Sequence, residues 1–201
     1  MLAPVALLLL QMLTDMLEHS GEGQALDLNA RTRRDLTLED YLDIVAKKTG
    51  YGLTCALAGG AILGGASLEV LDALDAFGRD AMPVFQIADD LLDFTDGKGR
   101  GDIGSDIKEG KRSYLILHTA SHCSADEAAF MYYILDKPRD ATTAVDVQRL
   151  LHLFRTYGAE AAARAHMAEL LAKACHALKR LPLPFRDNLG LVANYLIQRK
   201  V

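Results

Sequence analysis

The chain has 201 residues, half of them hydrophobic and 24% charged, with a net charge of −5. That length can bury one substantial core, so a single all-α domain over residues 1–201 is expected once the periodicity below is counted, and the composition excludes a disordered chain. The acidic balance argues against nucleic-acid binding, which needs a basic footprint to displace counterions, and the scattered Cys55, Cys123 and Cys175 predict no disulfide framework and a reducing, cytoplasmic setting.

The opening residues 1–13 hold the run Leu7-Leu8-Leu9-Leu10 but lack the charged lead-in and small-residue cleavage site of a signal peptide, and they are too short to cross a bilayer. Val5, Leu8, Leu9, Met12 and Met16 fall at helical spacing, which predicts a buried helix to about residue 19 that starts without a cap, as if inside a core. Helical periodicity continues over residues 38–64, over 68–96 with a bend at Pro83, and over 113–122, 126–135, 144–157, 160–181 and 185–199. No sustained alternation or hairpin signal interrupts it, and short turns such as Asp136-Lys137-Pro138 separate neighbours as in a helix bundle.

Within the third of these helices, Asp89, Asp90 and Asp93 place three carboxylates in an otherwise apolar run. Asp89 and Asp93, four apart, project from one face with Asp90 on its flank, so their like charges repel and raise one another's proton affinity. Gly97 then marks a helix C-terminus, where the macrodipole disfavours negative charge, so local stability alone would not select this cluster. A hard cation such as Mg²⁺ would neutralise it while keeping positions for waters and substrate phosphates. A solvated acidic helix end is the plainer alternative.

Two flanking segments carry complementary chemistry. Lys47-Lys48-Thr49-Gly50 offers a cation and a hydroxyl side by side, able to clamp a diphosphate by charge and hydrogen bond. Gly104-Ser105-Asp106-Ile107-Lys108-Glu109-Gly110-Lys111 and the following Arg112-Ser113 combine glycines with cations, and otherwise read as a flexible connection. Other patterns fail on context. Gly99, Gly101 and Gly104 spell G-x-G-x-x-G without a preceding strand, and Gly104 through Ser113 has the wrong spacing for a P-loop, with Arg112 in place of its metal-binding hydroxyl. His118 and His122 lack a third ligand for zinc and read as surface residues.

These landmarks, in this order, are Gly23-Gln24-x-x-Asp27, Tyr41 with Lys48-Thr49-Gly50, Phe85-Gln86-x-x-Asp89-Asp90-x-x-Asp93, Gly104-Ser105-Asp106-Ile107 leading to Gly110-Lys111, and Arg199 near the end. Together they make the chain resemble the C-terminal part of a trans-isoprenyl diphosphate synthase, from about Gly21 onward, most similar to archaeal and short-chain geranylgeranyl or farnesyl types. The resemblance implies an isoprenoid-synthase-type antiparallel helix bundle and a prenyltransferase that condenses isopentenyl diphosphate with an allylic diphosphate in the presence of Mg²⁺. It implies Asp89, Asp90 and Asp93 as the metal cluster, with Asp89 the principal ligand. Lys48, Lys111 and Arg199 would hold diphosphate, and Thr49 and Gln86 would set dipoles beside the nascent carbocation.

The departures from the family are specific. Its first Asp-rich motif, the product-length residues just ahead of that motif, and the upstream basic residues that hold isopentenyl diphosphate have no counterpart here; no second D-D-x-x-D occurs. Arg100-Gly101 replaces a Gly-Lys pair, with Lys98 or Arg100 able to take over its phosphate contact, and Ser113 stands where Thr is usual. A homodimer, or a hetero-oligomer with a subunit that supplies the N-terminal half, is therefore expected. A noncatalytic synthase-like subunit is the alternative. A class I terpene cyclase fits less well, because Asp102, Ser105 and Glu109 carry that family's metal spacing but follow too soon after Asp93.

Overall fold

In the computed structural model residues 2–95, 103–183 and 185–198 are described, and their regular structure is entirely helical. Helix α1 (Leu2–Ala30) leads to α2 (Leu38–Val45), one wide π-helical segment (Ala46–Gly50) and α3 (Tyr51–Leu63). Then come α4 (Leu68–Thr95), the single turn α5 (Ser105–Lys108), α6 (Tyr114–His122), α7 (Ala125–Leu135), α8 (Ala144–Thr156), α9 (Ala159–Leu178) and α10 (Phe185–Gln198). Three of the starts are set by capping boxes, Thr37 with Asp40, Ser124 with Glu127 and Thr143 with Asp146, each pair satisfying two backbone N–H groups that the first turn leaves open.

The long α4 runs through Pro83 without ending and packs most extensively against α9. Its first half joins Ala73, Leu74, Phe77 and Ala81 to Ala174, Leu178 and Ala193. Its second half joins Val84, Ile87, Leu91 and Phe94 to the larger core built with Tyr41, Ile107, Ile116, Met131, Leu150 and Phe154. No helix among the described residues is long and apolar enough to cross a membrane.

Three expectations are corrected. Helix α1 does not stop near residue 19 but continues through Gly21 and Gly23 to Ala30, because that stretch is pressed against the π segment. A Cβ at Gly23 would stand 2.3 Å from the Lys48 backbone N, and Lys47 pairs with Glu22 at 2.8 Å, so tertiary contact overrides glycine's poor helix propensity. Nor is α1 a buried helix: Val5, Leu9, Met12 and Met16 form a half-buried stripe, while Leu7, Leu8, Leu10, Leu13 and Leu17 face outward. Further along, Ser105–Lys108 is a helical turn rather than a loose connection, entered from Gly104 at φ 81°.

Candidate active site

A narrow cleft opens between the π segment, the middle of α4 and the strand of chain joining α5 to α6, lined by Asp27, Tyr41, Lys48, Thr49, Gln86, Asp90, Lys111 and Ser113. Five side chains singled out from the sequence, Lys48, Thr49, Gln86, Asp90 and Lys111, thus meet from three separate segments. The π segment is what aims two of them. By widening one turn it lets Tyr41 and Val45 keep to the core while Lys48 and Thr49 reach the cleft.

Asp90 is buried and accepts three hydrogen bonds, from the Tyr41 hydroxyl at 2.9 Å, the Tyr114 backbone N–H at 3.0 Å and the Gln86 amide at 3.1 Å. Burial pushes its carboxyl up to about 6; the Tyr114 N–H opposes that rise, and the nearby Asp106 charge adds to it. Burial, reinforced by Asp90, also lifts the Tyr41 phenol well above its ordinary value, so Tyr41 keeps its proton and donates it.

Asp93 has a different task. Its carboxylate is fully buried and accepts from the Ser105 hydroxyl and, at 2.9 Å, from the Asp106 backbone N–H, while its carbonyl accepts from the Gly104 N–H at 2.8 Å. These bonds tie the second half of α4 to the start of α5. Asp106 in turn holds Lys111 at 2.6 Å; Glu109 stands 3.3 Å from the same lysine and is itself held by Arg139 at 2.7 Å. On the other wall Lys48 pairs with Asp27 at 2.7 Å. Arg112, with its side chain 1% exposed, donates to the Gly110 and Arg33 carbonyls and to Asp136, and lies over the Tyr132 ring. The Ser113 hydroxyl is buried at the cleft wall with no hydrogen-bond partner among the described residues.

The three carboxylates of the expected metal face have different surroundings in the fold. Asp89 is half-buried, Asp90 turns to α2 and α6, and Asp93 turns to α5; among the described residues no three Asp, Glu, His or Cys side chains converge in a way that could hold a metal ion. The donor chemistry still suits Mg²⁺, which needs only one or two carboxylates when phosphates and waters complete its shell, and Asp89 is the carboxylate least enclosed by the fold. Arg199, Lys98, Arg100, Gly97, Gly99, Gly101 and Asp102 lie outside the described residues. His118 is half-buried rather than on the surface, contacting the Tyr157 carbonyl at 3.1 Å and stacking on His122.

Four contributors carry no assigned role in the sequence reading. Asp27 and Tyr41 are landmarks without a role, although the pairing of Asp27 with Lys48 follows once α1 is extended. Asp106 lies inside a motif read for its glycines and cations. The Tyr114 contribution is a backbone N–H, for which no side-chain pattern gives a signal.

A helix bundle in which α4 carries both core and site defines a protein of the isoprenoid-synthase fold. It superimposes on geranylgeranyl pyrophosphate synthetase from Pyrococcus horikoshii with a TM-score of 0.87 at 27% identity, covering 98% of this chain and 60% of that one. The Corynebacterium glutamicum geranylgeranyl pyrophosphate synthase crystallised with isoprenyl diphosphate and magnesium gives 0.88 at 26% identity, covering 98% and 57%. The Polyprenyl synthetase family profile matches residues 3–153, and the chain belongs to that family. Among curated relatives it is 32% identical over 182 residues to the short chain isoprenyl diphosphate synthase of Methanothermobacter thermautotrophicus, covering 89% of this chain and 55% of that protein. It is 35% identical over 184 residues to the geranylfarnesyl diphosphate synthase of Natronomonas pharaonis, covering 89% and 51%. The chain thus spans about half the length of the curated relatives it matches.

Proposed function

We propose that this chain forms the diphosphate-holding part of a prenyltransferase that joins isopentenyl diphosphate to an allylic diphosphate, of the short-chain geranylgeranyl or farnesyl type. The observation that carries the reading is the convergence of Lys48, Thr49, Gln86, Asp90 and Lys111 on one cleft. The names of the relatives supply the substrate class. Lys48 and Lys111 hold the diphosphate by charge-assisted hydrogen bonds and stabilise the charge that develops on it as the allylic carbon–oxygen bond breaks. The Thr49 hydroxyl and the carbonyl end of the Gln86 amide, whose nitrogen end is committed to Asp90, turn their negative ends toward the carbocation. The isopentenyl double bond supplies the electron pair for the new carbon–carbon bond, and the proton it sheds goes to the departing diphosphate. Mg²⁺, held by Asp89 with Asp90 and Asp93 behind it, would neutralise the leaving group when bound.

Asp89→Ala is expected to abolish Mg²⁺-dependent binding of inorganic diphosphate in calorimetry; an unchanged affinity would sink the metal reading. Completion of the site requires more than this stretch of sequence, and the outward leucines of α1 provide an apolar face on which an upstream segment or another subunit can pack. We expect a homodimer or hetero-oligomer, with little isopentenyl incorporation by the 201 residues alone and recovery when the chain is extended upstream or its partner supplied. Light scattering with a radiolabelled isopentenyl incorporation assay decides it. A completed assembly that binds diphosphate but never elongates it would favour the second reading, a noncatalytic synthase-like subunit, for which the same leucine face is the partner surface.

A further inference from the structure

Both cleft lysines are already neutralised. Lys48 lies 2.7 Å from Asp27, and Lys111 lies 2.6 Å from Asp106. The Lys48–Asp27 pair is not needed simply to fasten α1 to the π segment, because the neighbouring Lys47 makes that tie with Glu22 at 2.8 Å, outside the cleft. Asp27 lines the cleft with its lysine, and its side chain is 21% exposed, so an entering anion meets the carboxylate as well as the ammonium.

Resting on the reading of Lys48 and Lys111 as diphosphate ligands, we propose that Asp27 is a specificity-determining counter-ion, which a ligand must displace from Lys48 and which thereby selects a diphosphate over singly bridging anions. Replacing one carboxylate–ammonium contact by one phosphate–ammonium contact gains little, since both are charge-assisted hydrogen bonds of similar strength. A small anion that reaches one lysine therefore exchanges like for like and is repelled by the remaining carboxylate. A diphosphate carries more charge and spans two lysines, so it exchanges both contacts in a single binding event. Discrimination arises from the unfavourable element presented to the wrong ligand. On this view Asp27 weakens every anion at Lys48, and weakens the small ones most.

The test is Mg²⁺-free calorimetry with inorganic phosphate and inorganic diphosphate as the probes, on the parent chain and on Asp27→Asn, Asp27→Glu and Lys48→Gln. Asp27→Asn is expected to bind phosphate about tenfold more tightly and diphosphate only about twofold more tightly, so that selectivity falls about fivefold, whereas Asp27→Glu keeps the parent ratio. A purely structural role for Asp27 would leave that ratio unmoved. Should Asp27→Asn not fold, Asp27→Ser removes the same charge and carries the same expectation. Lys48→Gln that weakens diphosphate while the neutral Asp27 variants keep the parent ratio would overturn the counter-ion role and leave the lysine reading standing; Lys48→Gln with unaltered diphosphate affinity would overturn both.

Discussion

The two halves of α4 solve the burial problem in opposite ways. Ahead of Pro83 the helix buries Ala73, Leu74, Phe77 and Ala81 against the small residues of α9 and α10, and needs nothing but shape. Beyond Pro83 it buries two carboxylates among Ile87, Leu91 and Phe94, and each must be met by donors: Tyr41, the Tyr114 N–H and, from α4 itself, Gln86 for Asp90, and Ser105 and the Asp106 N–H for Asp93. One half is scaffold that tolerates apolar exchange at constant volume, and the other is a polar network in which every member depends on its neighbours.

The largest effect is expected in the scaffold half. Phe77→Ala, at a position 1% exposed, should cost about 3–5 kcal/mol in urea unfolding and leave the diphosphate affinity of the folded fraction unchanged. A loss of affinity there would show that the halves are coupled. Asp93→Ala should cost about 3 kcal/mol, because it strands the Ser105 hydroxyl and the Asp106 N–H in a buried corner, and it should also lower diphosphate affinity by letting α5 and Lys111 drift. A variant that unfolds at the parent's urea concentration would mean the corner is held by something else.

Protonation sharpens the contrast further. The Asp90 carboxyl sits at about 6 in the fold against 3.8 for the ordinary group. Since the folded form keeps this proton longer than the unfolded one, the proton's contribution to stability is complete below 3.8 and is lost as pH rises through 6. Relative to Asp90→Asn, the parent should therefore lose about 2–3 kcal/mol between pH 4 and pH 6.5, read from paired denaturation curves. A difference that stays constant with pH would contradict the assignment. The smallest effects separate the lysines. Lys111→Gln removes the cation 2.6 Å from Asp106, whose side chain is 1% exposed, and should cost about 1–2 kcal/mol, whereas Lys48→Gln, on a more open pair, should cost under about 0.5 kcal/mol. Phosphate-facing lysines read from sequence alone would be equally dispensable to the fold, and equal melting points would restore that view.

Much of the architecture was legible because long apolar periodicity marks α4, α8 and α9 directly, and the order of motifs brought Lys48, Thr49, Gln86 and Lys111 forward together. What stayed hidden has common physical causes. The periodicity ends near residue 19, yet α1 continues, and the close approach of Lys48 demands the glycine at Gly23 inside it. Asp89, Asp90 and Asp93 share a helical face in projection, but the donors that turn Asp90 and Asp93 apart come from α2, α5 and α6, which local spacing does not describe. The leucines of α1 announced a helix without saying which side a neighbour would cover.

The π segment over Ala46–Gly50 carries a consequence for how this stretch can change in length. Its wide turn, closed by the Tyr51 N–H on the Ala46 carbonyl, holds one residue more than an ordinary α turn would. Deleting a single residue there would restore the regular helix and turn everything upstream by about 100° relative to everything downstream. Where the lost residue precedes Lys48, Tyr41 could then meet Asp90, or Lys48 could face Asp27, but not both. Substitutions in these five positions are thus judged one side chain at a time, while an insertion or deletion changes the phase between two halves of the site, so the segment keeps count for the cleft it borders.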